Sequence, residues 1–232
     1  MSLVFPRPEG GTLIVARSGE VFPVRRIYCV GRNYADHARE MGGTGREEPF
    51  FFSKPSDAVL SVADGVVGAM PYPSCTQDLH HEIELVAALG SGGRDLTLAQ
   101  AAACVWGHAI GLDMTRRDLQ AAAKKAGRPW EVAKAFDHSA PIGPIHPVSA
   151  TGALSRGRIA LAVNGEERQH GDLSDMIWSV PEAIAYLSTL FELRAGDLVF
   201  TGTPAGVGAV VAGDLLQGSI EGLGTLQVRI VS

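Results

Sequence analysis

Apolar and polar residues alternate along residues 78–85, which read DLHHEIEL. Side chains of an extended strand point to opposite faces in turn, so His80, Glu82 and Glu84 share one face. Glutamate is uncommon in strands, and two like charges on one face repel each other. The pattern leaves two interpretations open: a solvated edge face, or a hard cation held between carboxylate oxygens.

Turn residues between β-prone runs predict two hairpins. Ser18-Gly19 separates TLIVAR from EVFPV near the N-terminus, and Asn164-Gly165 separates RIALAV from EERQHG. Asparagine and glycine readily adopt the positive φ angles that tight hairpin turns require. Residues 196–231 also break into short apolar runs between glycines, which predicts further short strands.

Helix-start signals predict three or four helices. Thr97 and Gln100 have the spacing of a capping box ahead of an alanine-rich run, and Ser179 and Glu182 repeat it. In such a box each side chain bonds a free backbone N–H at the start of the helix. Two more helices are predicted in RNYADHAREMGG, with Asn33 as its cap, and in RRDLQAAAKKAG, which Gly127 ends.

Many short strands and few helices predict an α+β fold that is mainly β. With 232 residues the chain can bury a full core, and no internal repeat or linker marks a boundary. We therefore expect a single catalytic domain over residues 1–232, with residues 1–25 forming an N-terminal hairpin extension packed on it.

Composition narrows the class of protein. The net charge is −5 with scattered basic residues, which argues against a nucleic-acid or anionic-membrane partner. The three cysteines, Cys29, Cys75 and Cys104, form neither a C-x-x-C pair nor a disulfide framework. No secretory signal is apparent, and no apolar run approaches the ~18 residues of a membrane span. We expect a cytoplasmic protein.

Asp113 closes the predicted strand WGHAIGLDM and precedes a predicted helix. An Asp at this place often only starts the helix, although strand ends also display polar groups toward clefts. Arg117 and Gln120 lie three residues apart and so share one helical face. If Asp113 points into a site, the same turn would bring a guanidinium and an amide beside it.

His37 and Glu40 are also three residues apart, on the short helix predicted after Asn33. Such pairs are usually solvated surface contacts that contribute a few tenths of a kcal/mol. The alternative is a dyad in which the carboxylate orients the imidazole to take a proton from water. Spacing alone favours the surface pair.

Two motifs argue against nucleotide and zinc chemistry. TGTPAGVG lacks the Lys-Ser/Thr ending of a phosphate loop and the strand-then-helix setting of a dinucleotide site. HHEIE does not match the H-E-x-x-H helix of zinc proteases, and no cysteine lies near enough for a soft-metal site. Oxygen-only ligands favour magnesium, manganese or calcium.

Taken together, the motifs resemble the fumarylacetoacetate hydrolase family over roughly Arg26 to Val231. They occur in the family's order: VGRNYADHAREMG, FFFSKPSDAV, LHHEIELVAALG, GLDMTRRDLQ, WEVAKAFD and GDLVFTGTPAGVG. The resemblance implies mixed β-rolls with flanking helices, a homodimer, and a magnesium or manganese ion; calcium is a further possibility. Longer relatives supply a fourth acidic metal ligand from an upstream segment that has no counterpart in this chain.

The resemblance also implies a role for each motif residue. The implied metal ligands are Glu82, Glu84 and Asp113. The implied substrate-binding and oxyanion-stabilising residues are Arg117, Gln120 and Lys134. The implied water-activating pair on a lid helix is His37 and Glu40. The residues implied to touch the carboxylate or oxo groups of the substrate are Thr203 and Lys54.

Within the family the chain is most similar to short bacterial acylpyruvate hydrolases, including those that act on fumarylpyruvate in gentisate breakdown. This implies metal-dependent hydrolysis of the C–C bond of a 2,4-dioxo acid, releasing pyruvate and, from fumarylpyruvate, fumarate. Decarboxylation or tautomerisation of an oxo acid, or isomerisation of 2-hydroxyhepta-2,4-diene-1,7-dioate, would use the same metal residues. A non-catalytic, metal-stabilised dimer is the remaining alternative. Three residues stay open as partners for a distal carboxylate: Arg32, Lys54 and Arg117.

Overall fold

The computed structural model describes residues 3–6, 10–35 and 46–232. Within these ranges the strands are β1 Thr12–Ile14, β2 Val21–Pro23, β3 Arg26–Gly31, β4 Phe50–Lys54, β5 Val59–Ser61, β6 Val67–Pro71, β7 Leu79–His81, β8 Ile83–Leu89, β9 Val105–Leu112, β10 Thr115–Arg116, β11 Ala140–Ile142, β12 His146–Pro147, β13 Arg158–Val163, β14 Glu166–Asp172, β15 Asp197–Phe200, β16 Gly208–Val210, β17 Leu215–Ile220 and β18 Gly224–Val231.

Helices are fewer than strands in the described ranges. The α-helices of the described ranges are α1 Leu98–Cys104, α2 Arg117–Lys125, α3 Glu131–Lys134, α4 Val148–Thr151 and α5 Val180–Leu190, and short 3-10 turns occupy Ser56–Ala58 and Leu173–Asp175. The predicted capping boxes of α1 and α5 are both present. The architecture is therefore α+β and mainly β, as predicted.

The strands form four sheets. An eight-stranded mixed sheet has the order β4-β3-β15-β8-β9-β11-β5, with β12 paired to β9. A five-stranded sheet runs β14-β13-β17-β18-β6, a three-stranded sheet runs β10-β7-β16, and β1 pairs with β2. Both predicted hairpins are observed, β1–β2 around Ser18-Gly19 and β13–β14 around Asn164-Gly165. Asn164 and Gly165 both have positive φ, as that turn requires.

The eight-stranded sheet is covered on both faces. Strand β8 is buried along its whole length, and its side chains alternate between two hydrophobic clusters. Leu85 and Ala87 belong to the cluster that contains α5, whereas Val86 and Ala88 join Leu13 of the N-terminal hairpin. Glu84 lies near the start of β8 and Asp113 follows the end of β9, so both carboxylates lie where these strands leave the core.

One local prediction differs from the structure. The strand predicted through residues 78–85 is interrupted at Glu82, which lies between β7 and β8. The helix that Asn33 is predicted to cap lies largely outside the described residues, so this cap stays a prediction. The buried Asn33 side chain donates to Trp178 O at 2.8 Å and to Thr201 O at 2.7 Å. Its amide thus joins the segment after β15 to the segment before α5.

Candidate active site

Three carboxylates meet where the chain passes between two sheets. Glu82 lies between β7 of the three-stranded sheet and β8 of the eight-stranded sheet, and Glu84 follows within β8. Asp113 lies at the matching crossing between β9 and β10, and its backbone N–H donates to Glu82 O at 2.8 Å. This pairing of the two crossings brings distant parts of the sequence together.

The cluster is enclosed. Carboxylate oxygens of Glu82, Glu84 and Asp113 all lie within 4.8 Å of one another, and the three residues are 6%, 2% and 0% exposed. The interpretation of residues 78–85 as a solvated edge is therefore wrong. Three buried like charges so close together require compensating cations.

Two lysines and one arginine provide part of that compensation. Lys134 Nζ donates to Glu82 Oε2 at 2.8 Å and to Asp113 Oδ2 at 2.6 Å. Arg117 Nη2 donates to the other Glu82 oxygen at 2.6 Å. Lys54 Nζ lies 2.8 Å from Asp113 Oδ1 and donates to the main-chain oxygens of Met114 and Lys134.

The carboxylate oxygens of this cluster are suitable ligands for a hard metal ion. Asp113 Oδ1 is buried without a correctly oriented hydrogen-bond donor among the described residues, despite the nearby Lys54 ammonium. Glu84 accepts a hydrogen bond from Gly202 N at 2.6 Å. Burial, followed by the charges of Asp113 and Glu82, raises the pKa of Glu84 well above its usual range. A divalent cation would offset both the cost of burying the Glu84 charge and its repulsion by Asp113 and Glu82. An all-oxygen donor set is what magnesium, manganese and calcium prefer.

Several donors face the same cavity with bonding capacity left. Burial alone would lower the pKa of Lys134, but the Asp113 and Glu82 carboxylates outweigh it and raise that pKa, so the ammonium stays charged. Two of its three protons are used by these carboxylates. Arg117 Nη1 donates to Gln120 Oε1 at 2.6 Å, which fixes the amide with its N–H groups available. The predicted helical face shared by Arg117 and Gln120 is thus observed.

Gln169 is a buried residue that the sequence did not single out. Its Oε1 accepts from His81 Nδ1 at 2.8 Å and Ile83 N at 3.1 Å. Its Nε2 donates to Thr203 Oγ1 at 2.8 Å and Pro204 O at 2.9 Å. Thr203 therefore keeps its hydroxyl proton for another acceptor. Gln169 is the one fully buried residue in an otherwise exposed stretch of β14, and nothing in the local sequence distinguishes it.

His80 supports the carboxylate cluster from outside it. Its Nδ1 accepts from Arg117 Nε at 3.4 Å, and its Nε2 bonds Asp78 Oδ1 at 2.8 Å. Burial and the neighbouring Arg117 charge lower the pKa of His80, which favours the neutral form that can accept this bond. His80 thus helps orient a guanidinium that itself holds Glu82 and Gln120.

The carboxylates line a cavity with an aromatic wall. Its lining also includes Arg117, Gln120, Lys134, Thr203, Arg32, Phe50, Phe52 and Trp130. Trp130 contacts both phenylalanines, with ring centroids 5.5 Å from Phe50 and 5.9 Å from Phe52. A larger cavity of about 980 Å³ shares this wall but contains none of the three carboxylates, so the chemistry belongs to the smaller one.

The structure brings most of the predicted site residues together. Glu82, Glu84, Asp113, Lys134 and Gln120 converge on one cavity, which Arg117 and Thr203 also line. The Lys54 ammonium instead points at backbone oxygens and Asp113. The predicted dyad of His37 and Glu40 lies outside the described residues and stays a prediction.

A β-rich fold that encloses a three-carboxylate cluster and hydrogen-bond donors in one cavity defines a metal-dependent enzyme class. Residues 26–231 match the profile of the family Fumarylacetoacetate (FAA) hydrolase, C-terminal. The chain belongs to the fumarylacetoacetate hydrolase family.

Individual relatives differ in activity. A crystal structure of fumarylpyruvate hydrolase from Pseudomonas aeruginosa, in complex with Mn²⁺ and pyruvate, is 57% identical with a TM-score of 0.97 and 99% coverage of both chains. Oxaloacetate tautomerase YcgM of Escherichia coli (strain K12) is 42% identical over 87% of this chain and 90% of its own. Mitochondrial oxaloacetate decarboxylase of Dictyostelium discoideum is 41% identical over 87% and 91%.

Among the described residues, no helix has both the length and the apolar character needed to cross a membrane.

Proposed function

We propose that this chain hydrolyses the C–C bond of an acylpyruvate, with fumarylpyruvate as the substrate and fumarate and pyruvate as the products. The observation that carries the proposal is the convergence of three carboxylates with the spare donors of Lys134, Gln120 and Thr203 on one cavity. The similarity to a fumarylpyruvate hydrolase over 99% of both chains supports this choice of substrate.

Glu82, Glu84 and Asp113 would hold Mg²⁺ or Mn²⁺, and Mn²⁺ is the ion named with the Pseudomonas relative. When bound, the ion would hold the 1-carboxylate and 2-oxo oxygens of the substrate and act as an electron sink. Lys134 and Arg117 each donate to one oxygen of Glu82 and so would hold its carboxylate in place beside the ion. The carboxylate geometry is thus prepared by residues of the chain itself.

Other residues of the chain would activate the water and stabilise the oxyanion. His37, oriented by Glu40, takes a proton from water, and the water oxygen forms a bond to the C4 carbonyl carbon. The third proton of Lys134 and the amide N–H of Gln120 donate to the oxyanion at C4. When the C3–C4 bond breaks, its electron pair passes to the pyruvate enolate, and the proton on His37 returns to C3. The reaction consumes one water and releases two acids.

A purified-enzyme panel tests this function. Fumarylpyruvate, maleylpyruvate, acetylpyruvate and oxaloacetate are supplied with Mg²⁺ or Mn²⁺, and pyruvate release is followed. We expect fumarylpyruvate to be cleaved fastest, and His37→Ala to lose roughly 10²- to 10⁴-fold in turnover, as expected of a general base. Turnover of His37→Ala equal to that of the unaltered enzyme, with metal saturating, would refute the role of His37.

Oxaloacetate tautomerisation or decarboxylation is the second candidate, because relatives with these activities are 41–42% identical over most of the chain. Both would use the same carboxylates to stabilise an enolate. Oxaloacetate conversion without pyruvate release from any acylpyruvate in the panel would favour this candidate. An intact protein that converts none of the four acids would instead support a non-catalytic, metal-stabilised dimer.

Two further properties belong to the same proposal. The family resemblance supports a homodimer, which light scattering of the purified protein would test. The three cysteines are free, with Cys29 and Cys104 buried, and this supports a reducing cytoplasmic compartment.

A further inference from the structure

Arg32 has an unusual backbone for a residue with a long side chain. It directly follows β3 and has a φ of +56°, in the left-handed region. Such a conformation costs a residue other than glycine about 1 to 3 kcal/mol, and residues that keep it cluster at functional sites. Arg32 lines the cavity that contains the three carboxylates. The strained backbone therefore holds a guanidinium at the candidate active site.

The other cations near the carboxylates are already engaged. Lys134 bridges Glu82 and Asp113, and Arg117 donates to Glu82, Gln120 and His80. Lys54 is buried against Asp113 and two backbone oxygens. Each of these cations is therefore already paired with a carboxylate of the chain.

Arg32 differs in this respect. Among the described residues, its buried Nε has no hydrogen-bond acceptor, and no carboxylate forms an ion pair with it. An unsatisfied buried donor costs about 1 to 3 kcal/mol, and more when the group is charged. The guanidinium lies over the Phe50 ring, with 5.8 Å from Cζ to the centroid. An anion entering the cavity would satisfy this donor without breaking any ion pair formed by the described residues.

Arg32 and the three carboxylates share a cavity that also has an aromatic wall. Phe50 lies under the Arg32 guanidinium, and its ring packs so closely on Gly31 that a Cβ there would lie 2.1 Å from Phe50 Cζ. Trp130 packs edge-on against Phe50 and links it to Phe52, over which Lys134 Nζ lies 4.9 Å from the centroid. Such a surface suits a planar, unsaturated carbon chain.

We propose that Arg32 binds the carboxylate at the far end of the acyl group and thereby selects acylpyruvates that carry a second carboxylate. This inference rests on the proposed hydrolase function. It makes Arg32 a specificity residue: the guanidinium forms a charge-assisted pair with the distal carboxylate while Phe50 and Trp130 contact the chain between the two ends. A neutral acyl group would leave Arg32 as it is in the free enzyme.

Steady-state kinetics with two substrates test the inference. Fumarylpyruvate carries the distal carboxylate and acetylpyruvate lacks it. We expect Arg32→Met to lower kcat/KM for fumarylpyruvate roughly 10- to 100-fold, mainly through KM, as for loss of a charged hydrogen bond. The kcat/KM for acetylpyruvate should stay within about twofold, which also shows that the variant is folded. Arg32→Lys should recover part of the loss because it keeps the charge.

Arg116→Met is the matched control. The Arg116 guanidinium also lies over a phenylalanine ring, 4.4 Å from the Phe136 centroid, and its Nε is likewise buried without a partner. Arg116 does not line the carboxylate cavity. Its variant should leave the ratio of kcat/KM for the two substrates unchanged.

Two outcomes separate this inference from the function on which it rests. Equal losses on both substrates in Arg32→Met, or no loss on fumarylpyruvate, overturn the role of Arg32 while leaving the hydrolase function intact. Cleavage of neither substrate by the unaltered enzyme overturns the hydrolase function itself. A measurement on the unaltered enzyme needs no variant: fumarate should inhibit acetylpyruvate cleavage more strongly than crotonate, its analogue with a methyl group in place of one carboxylate. Equal inhibition would contradict the inference.

Discussion

At the scale of single residues, the site depends on how Lys134 shares its protons. The ammonium lies between Glu82 and Asp113 and keeps two buried carboxylates from repelling each other. A divalent ion at the cluster would perform part of the same task. The lysine and the ion should therefore stabilise the fold in partly redundant ways.

Lys134→Met should expose this redundancy. Loss of one partner from a buried ion pair destabilises by about 3 to 5 kcal/mol, because a charge is left without compensation. We expect a lower melting temperature than that of the unaltered protein without metal, and a larger rise on addition of Mn²⁺. Differential scanning calorimetry with and without Mn²⁺ measures both, with Lys125→Met on the exposed end of α2 as control. Equal Mn²⁺-induced shifts in the Lys134 variant and the unaltered protein would argue against the shared role.

At the scale of elements, two glycines determine the backbone conformation of the segment TGTPAGVG. In TGTPAGVG, Gly202 and Gly206 have φ values of +94° and +93°. Gly202 donates its N–H to Glu84, and a Cβ on Gly206 would lie 2.0 Å from Arg168 O. These glycines therefore allow the backbone of the motif to approach other parts of the chain closely.

Gly206→Ala should disturb this turn far more than a comparable change elsewhere. Gly65 also has a positive φ, +71°, but no atom of the described residues lies within 4 Å of the position that an added methyl group would take. We expect Gly65→Ala to cost about 1 kcal/mol from backbone strain alone. Gly206→Ala adds steric overlap, which costs about 1 to 3 kcal/mol more. Urea denaturation of both variants measures the difference, and similar free energies of unfolding would show that the turn relaxes.

Local signals predicted local structure well and long-range placement poorly. The capping boxes of α1 and α5 and the Asn164-Gly165 turn each depend on neighbouring residues, and all three are observed. The alternation in residues 78–85 placed Glu82 and Glu84 together but did not reveal the break at Glu82. That break arises because two different sheets pair with the strands on either side, which no local pattern encodes.

The same limit explains which site residues could be predicted from the sequence and which could not. Glu82, Glu84 and Asp113 were expected together from motif order, and the fold brings them together. Gln169 was missed because its burial depends on how β14 packs against Thr203 and His81. Arg32 was one of three open choices for a distal carboxylate, and its unsatisfied Nε became visible only in three dimensions.

At the scale of the whole molecule, two hydrophobic clusters cover opposite faces of the eight-stranded sheet. His108 of β9 is 3% exposed, and its Nδ1 has no hydrogen-bond partner in the described part of the chain. Burial lowers the pKa of His108 to about 4. The folded core thus excludes a proton that the unfolded chain would bind.

Stability should therefore fall in mild acid. The unfolded imidazole takes up a proton as the pH drops through its pKa of about 6.5, whereas the folded one does so only near pH 4, so acid favours unfolding. As the pH falls through this range, proton uptake by His108 in the unfolded chain should lower the free energy of unfolding by on the order of 3 kcal/mol. His108→Leu should show a flatter dependence of the free energy of unfolding on pH, measured by urea denaturation. An unchanged dependence, equal to that of a His170→Gln control on the exposed side of β14, would contradict the assignment.

The central claim is metal-dependent hydrolysis at the carboxylate cluster, and labelled water tests it most directly. Fumarylpyruvate is incubated with the enzyme and Mn²⁺ in water enriched in heavy oxygen, and the products are analysed by mass spectrometry. The account predicts fumarate that carries at least one heavy oxygen atom in its newly formed carboxylate, released together with pyruvate, and neither product from Glu84→Gln. Consumption of fumarylpyruvate without labelled fumarate, or full activity of Glu84→Gln, would contradict it.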